Sequence, residues 1–220
     1  MNKQLGYFFV CLIALSAVPA LAGPLATDGT AISGWHGSTP YQGYDAGNNP
    51  TGLVGYIDWA VYAPGHAPAG FTPDVGNGYT GATSGEYLYT YQAYETGSAN
   101  LSFVSVAMTG PADNIGDFTA TGISGQAPVF DQLVPNDSAS WYFNGVGPGA
   151  SSFGLSFSSP NGPTWSAATT IDDGSIASGM PVPASGTGNI PEPSTLVLAI
   201  CGFVGLAFQV LRRHVKKATM

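Results

Sequence analysis

Residues 86–95 read EYLYTYQAYE, and this stretch decides the fold. In an extended chain Tyr87, Tyr89, Tyr91 and Ala93 fall on one side, and Leu88, Thr90, Gln92 and Tyr94 on the other. Tyrosine and threonine favour a pleated, half-buried surface, so the spacing predicts a strand. Residues 152–158 carry the same signal: Phe153, Leu155 and Phe157 alternate with Ser152, Gly154, Ser156 and Ser158. That pattern predicts one buried face and one wet face. Between 53 and 62, Leu53, Ile57, Trp59 and Val61 share a side, with Gly55 filling the gap.

Working outward, Gly97-Ser98 reads as a turn joining the tyrosine strand to residues 100–109 in a hairpin. A change of face near Phe103-Val104 suggests a bulge or two-sided burial there. Residues 32–36, 117–121, 129–133 and 140–144 read as further short strands, and 165–171 and 175–178 as edge strands. The rest of 23–50 is turn-rich, and 71–83 reads as loop. No stretch of this region has helical apolar spacing, and 31 glycines with 17 prolines disfavour long helices. The expectation for 23–177 is an antiparallel β-sandwich, with jelly-roll and immunoglobulin-like topologies both open.

Charge is unevenly placed along the chain. The formal net charge is −8, but all five basic residues (Lys3, Arg212, Arg213, Lys216 and Lys217) lie near the two ends. Twelve of the 13 acids lie between Asp28 and Asp173, where there is no Lys or Arg. Phosphate binding draws its affinity from basic side chains, so this composition argues against a nucleic-acid partner. The two cysteines, Cys11 and Cys201, also lie outside 23–190, so that region can form no internal disulfide. Its stability must come from buried apolar and aromatic surface.

The end segments read as address labels. Residues 1–22 have a positive start at Lys3, an apolar stretch, and Ala20-Leu21-Ala22 before Gly23, the pattern of a secretory signal helix cleaved after Ala22. Residues 178–190, rich in Gly and Pro, read as a flexible linker. After Pro191-Glu192-Pro193 come 18 uncharged residues, 194–211, then Arg212, Arg213, His214, Lys216 and Lys217. At about 1.5 Å of rise per residue such a helix reaches about 27 Å, enough to span a bilayer. The basic residues would stay on the cytoplasmic side and leave the body outside.

Ile190, Pro191, Glu192, Pro193, Ser194 and Thr195, followed by the apolar span and the basic stop at Arg212, Arg213, Lys216 and Lys217, resemble the PEP-CTERM sorting signal of bacterial surface and matrix proteins. Cys201 and Gln209 depart from the usual Leu/Gly/Ala pattern, and residues 215–220 extend beyond a minimal basic end. The resemblance covers residues 191–220 and implies handling by an exosortase, which cuts near Pro-Glu-Pro. It also implies export through the secretion translocon, a transient single-pass stay in the inner membrane, and a final place at the cell surface or outer envelope, or outside the cell. Exopolysaccharide is the implied company there.

The search for chemistry is mostly negative. No metalloprotease, nucleophile-elbow or phosphate-loop motif occurs, and only His36 and His66 offer bases in the body. Glu86 and Glu95, its only glutamates, have opposite parity and fall on different faces of one strand. Asp113 to Asp117 and Asp172-Asp173 offer oxygens of the kind calcium takes, but neither has a defined loop spacing. Tyr44, Tyr79, Tyr94 and Trp165 are candidates for stacking on sugar rings. Asn100-Leu101-Ser102 and Asn136-Asp137-Ser138 are glycosylation sequons by pattern. The expectation is a non-enzymatic structural protein with no cofactor or metal. A carbohydrate-binding module is the alternative, and a secreted hydrolase a more distant one.

Overall fold

The computed structural model describes residues 23–75, 78–166, 169–171 and 175–185. The signal segment 1–22, Asp172-Asp173 and the whole sorting region 191–220 lie outside the described residues. Among the described residues no helix is long and apolar enough to cross a membrane. Among the described residues, the elements after the 3-10 turn Leu25–Thr27 are all strands. They are β1 (His36–Tyr44), β2 (Pro50–Tyr62), β3 (Thr72–Pro73), β4 (Tyr87–Glu95), β5 (Leu101–Ala107), β6 (Asp113–Thr119) and β7 (Phe130–Val134). Then follow β8 (Ser138–Val146), β9 (Gly154–Ser159), β10 (Pro163–Trp165), β11 (Thr169–Ile171), β12 (Ser175–Ala177) and β13 (Pro181–Pro183).

A six-stranded sheet runs β1-β2-β4-β9-β6-β3 and a five-stranded sheet β12-β11-β5-β8-β7, with β10 and β13 forming a separate pair. All these strand pairs are antiparallel. The architecture is all-β and consistent with a β-sandwich. Ile57, Trp59, Val61, Tyr89, Tyr91, Leu155 and Phe157 of the first sheet share one core with Leu101, Val104, Val106, Trp141 and Val146 of the second. Trp141 sits at the join, 6.2 Å from the Tyr91 ring and 6.5 Å from Phe157. Its ring N–H donates to Gly116 O at 3.0 Å, as a fully buried indole requires.

The outer side of the six-stranded sheet is covered as well. Leu25 from the 3-10 turn packs there with Ala60, Tyr62, Leu88, Phe118 and Ile123, and Phe71 leans on Phe118 at 4.8 Å. Both faces of β2, β4 and β9 are therefore buried in their central parts, which departs from the one-wet-face expectation for 152–158. Ser156 and Ser158 are fully buried, and Ser156 donates to the Tyr79 hydroxyl at 2.7 Å. A small polar side chain satisfied by a loop residue packs where a solvated one was expected.

Three other expectations change. The turn-rich stretch after Gly23 contains a nine-residue strand, β1, in place of the short one at 32–36. It lies at the edge of its sheet, where Pro40 removes no needed ladder bond. The hairpin over 86–109 does not form: β4 pairs with β2 and β9, β5 with β8 and β11. Beyond Glu95 the chain clings to β2, with Thr96 N–H on Val54 O at 2.7 Å and Ser98 N–H on Gly52 O at 2.8 Å, before crossing to the other sheet. A register shift between Leu101 and Phe103 agrees with the first of the two alternatives there, a bulge. Finally, the first part of the stretch read as linker is folded, since Met180, Pro181, Val182 and Pro183 are buried and β13 pairs with β10. Tyr91 donates its hydroxyl to Pro181 O, and Thr109 to Pro183 O, which ties these residues to the body.

Candidate functional site

A body without Lys or Arg must satisfy its carboxylates with amide and hydroxyl donors. Asp45 Oδ1 accepts from Gly47 N–H and Asn49 N–H, each at 2.8 Å, in the turn between β1 and β2. The Asn49 and Gly47 amides hold that carboxyl below the usual range. Asp28 accepts from the Thr30 hydroxyl at 2.7 Å, the Tyr62 hydroxyl at 2.7 Å and Thr30 N–H at 2.8 Å. Burial raises its pKa, but these donors outweigh burial and leave it lowered. Glu86 is likewise lowered against burial by bonds that include Thr83 N–H at 2.9 Å.

Glu95 is the most deeply used. It accepts from Gly97 N–H at 2.6 Å, Val54 N–H at 3.3 Å and the Tyr41 hydroxyl at 3.1 Å. Tyr41, Gly55 and Glu95 lie in one row across three strands. A methyl at Gly55 would collide with Tyr94 O and the Tyr41 hydroxyl, so glycine there lets Tyr41 reach over β2 to the carboxylate. Next to this carboxylate, burial first and then Glu95 itself push the Tyr41 hydroxyl far up.

The same composition predicts resistance to trypsin. With no Lys or Arg between Lys3 and Arg212, the enzyme has no bond to cut in the body, folded or unfolded. Digestion in urea is expected to leave one species spanning it, as read by intact mass. An internal fragment would contradict this.

The structure disperses the candidate catalytic groups. His36 Nδ1 lies 2.8 Å from Ala26 O at the start of β1, and His66 is exposed in a turn closed by its own N–H on Ala63 O. Glu95 is a buried network member, whereas Glu86 is half-buried at the loop before β4. Asp113 is exposed on β6 and Asp117 buried on the same strand. Among the described residues no three His, Cys, Asp or Glu side chains come together as a metal site.

Of the aromatic candidates, Tyr44 is 43% exposed at the end of β1 and Trp165 51% exposed on β10. Tyr79 is buried, contrary to expectation, because it caps the serine face of β9. Tyr94 is half-buried, stacked on Tyr56 at 4.6 Å, with its hydroxyl on Gln92 Oε1. Trp165 stacks on Trp35 at 4.6 Å and meets the edge of Trp59 at 5.4 Å. Trp59 is held by its ring N–H on Thr39 Oγ1 at 3.0 Å. A second strip, Phe103, Tyr142 and exposed Phe130, lies on β5, β8 and β7 of the five-stranded sheet. Sequence reading missed Trp35 and Phe130, because partners from distant strands create both clusters.

Asn100 is exposed just before β5, and Asn136 is exposed at φ 59° in the turn between β7 and β8. Gly23, read as the residue after the cleavage site, is the first described residue; Ala20 and Ala22 lie outside. Pro191, Glu192, Pro193, Ser194, Thr195, Arg212, Arg213, Lys216 and Lys217 also lie outside the described residues.

Fold and surface together define a class: an all-β antiparallel body with no Lys or Arg and an exposed tryptophan stack. Comparison with protein-family models, with curated proteins and with solved structures returns no match to this chain.

Proposed function

We propose that the chain is an exported structural protein of the cell surface or extracellular matrix, delivered through its PEP-CTERM-like signal. The observation that carries the reading is the run from Ile190 to Lys217: Pro-Glu-Pro, an uncharged span, then cations. Its partners are then the translocon, an exosortase and, for a time, the inner membrane, with exopolysaccharide around the released or attached body. The body's role is passive, and its topology is nearer a jelly roll than an immunoglobulin fold. Supporting that choice, β4, β5, β6 and β7 alternate singly between sheets, whereas an immunoglobulin domain has only one strand, C, that does so. Five residues separate Ser185 from Pro191, and the six steps between them reach at most about 22 Å, so the folded body would sit close to the bilayer until cleavage.

In cells with the sorting enzyme, mass spectrometry of the surface form should find a new C-terminus near Pro191. Replacing residues 191–193 by alanine is expected to hold the protein in the inner membrane. Retention of Lys217 in the surface form would refute processing.

The Trp35–Trp165 stack favours a second reading, a carbohydrate-binding body. Native gels cast with exopolysaccharide should then retard the protein, and Trp165→Ala should abolish the retardation. Equal mobility with and without polysaccharide would dispose of this reading.

A further inference from the structure

Asp58 is not held as Asp28, Asp45, Glu86 and Glu95 are. It lies in the middle of β2, is 0% exposed, and neither carboxyl oxygen has a hydrogen-bond partner. Its cross-strand neighbours are Ser38 on β1 and Gln92 on β4. Gln92 has no donor to spare, because its Nε2 serves Ser124 O at 3.1 Å and Ser152 O at 2.9 Å. The nearby Tyr94 hydroxyl donates to Gln92 Oε1 at 2.6 Å. Burial pushes the Asp58 carboxyl up to about 6, while the Ser38 hydroxyl and the Gly23 backbone N–H pull the other way without reaching full hydrogen-bond geometry. A buried charge in this state is costly, and the body contains no Lys or Arg to answer it.

One further cation is created by export. Residue 23 packs directly on this carboxyl: a methyl there would meet Asp58 Oδ2 and the Tyr94 hydroxyl and force both to shift. The segment is pinned two residues later by Leu25, buried in the outer cluster, and by Ala26 O against the His36 ring. Hydrolysis of the Ala22–Gly23 bond consumes one water, leaves a carboxylate on Ala22 and turns the Gly23 nitrogen into an ammonium. We propose that Asp58 is the built-in receptor for this new α-ammonium, so that signal cleavage supplies the buried ion pair that completes the fold. The amide N–H of the uncleaved chain offers one hydrogen in a fixed direction. The ammonium offers three, rotates freely and carries the matching charge. The inference rests on the reading of 1–22 as a cleaved leader.

The test uses the full chain exported from a bacterial host. The N-terminus of the product is sequenced, and its α-amine is then acetylated under native conditions and in urea. The α-amine is the only primary amine before Lys216, so labelling at residue 23 is read without interference. The expected product begins at Gly23 and labels at least about tenfold more slowly when folded, since a one-unit rise in amine pKa removes about nine-tenths of the reactive free base. Folded Asp58→Asn, of nearly the same shape, should label at the rate of the unfolded chain. Equal protection in that variant would mean burial alone and would overturn the ion pair. A second variant inserts one Ser between Ala22 and Gly23, which leaves residue 23 an amide; its urea midpoint should fall, and an unchanged midpoint overturns the proposal even if Asp58→Asn does not fold. A product beginning elsewhere refutes the leader and the ion pair together. One beginning at Gly23 with an unprotected amine refutes the ion pair alone.

Discussion

Trp141→Ala is expected to lower the stability of the body by about 3–5 kcal/mol, the cost of truncating a fully buried indole. Trp141 is completely inaccessible and stands between Tyr91 and Phe157 of one sheet and the strands of the other. Its loss empties the space where the two sheets meet and leaves Gly116 O without its donor. Against a total of about 5–15 kcal/mol for a domain, this one change would unfold a large share of the molecules. Urea denaturation followed by tyrosine fluorescence measures it through the midpoint. Trp165→Ala is the control: half-exposed on β10, it should shift the midpoint far less, and equal shifts would contradict the placement of the core.

The second large effect is expected at Glu95. Glu95→Ala removes the acceptor for Gly97 N–H, Val54 N–H and the Tyr41 hydroxyl at once. Hydrogen bonds to a charged group contribute about 1.5–3 kcal/mol, and orphaned buried donors add to the loss. Relief of the buried charge offsets part of it, so a net cost of about 3 kcal/mol is expected. Glu95→Gln keeps one oxygen and the shape, and should cost less than half as much. Midpoints equal to that of the unsubstituted protein in both variants would show that the carboxylate is idle. In the fold Glu95 is taken up by these three donors, which leaves the glycosidase pairing with Glu86 without a free partner.

The strands that local alternation reveals are those whose large side chains meet the shared core: β2, β4, β5, β8 and β9. Tyr89, Leu155 and Phe157 are readable because period two needs no knowledge of the partner. What the alternation hides is everything decided by a distant residue. The serines of β9 look solvated until Tyr79, more than seventy positions earlier, is laid over them. Pro40, Gly37 and Gly43 read as turn residues, yet an edge strand tolerates them, and Trp59 lies against Gly37 where a side chain would intrude. Gly97-Ser98 has the look of a hairpin turn, but pairing follows the competition among all strands for partners, and β9 won the place beside β4. The candidate sites follow the same division. Trp165 is conspicuous in sequence, whereas its stack with Trp35 exists only in three dimensions. Asp58 draws no notice in sequence, being one acid in a regular apolar strand, until its burial and the position of Gly23 are known.

The place of β9 between β4 and β6 has a bearing on how such a chain could be threaded through a pore. Residues 154–159 are among the last third of the sequence, yet they join β1-β2-β4 to β6-β3, so the larger sheet cannot be completed until they emerge. Pairings over such long separations are slow to form. If the chain is exported as proposed, its larger sheet would lock only after residues 154–159 have arrived on the far side.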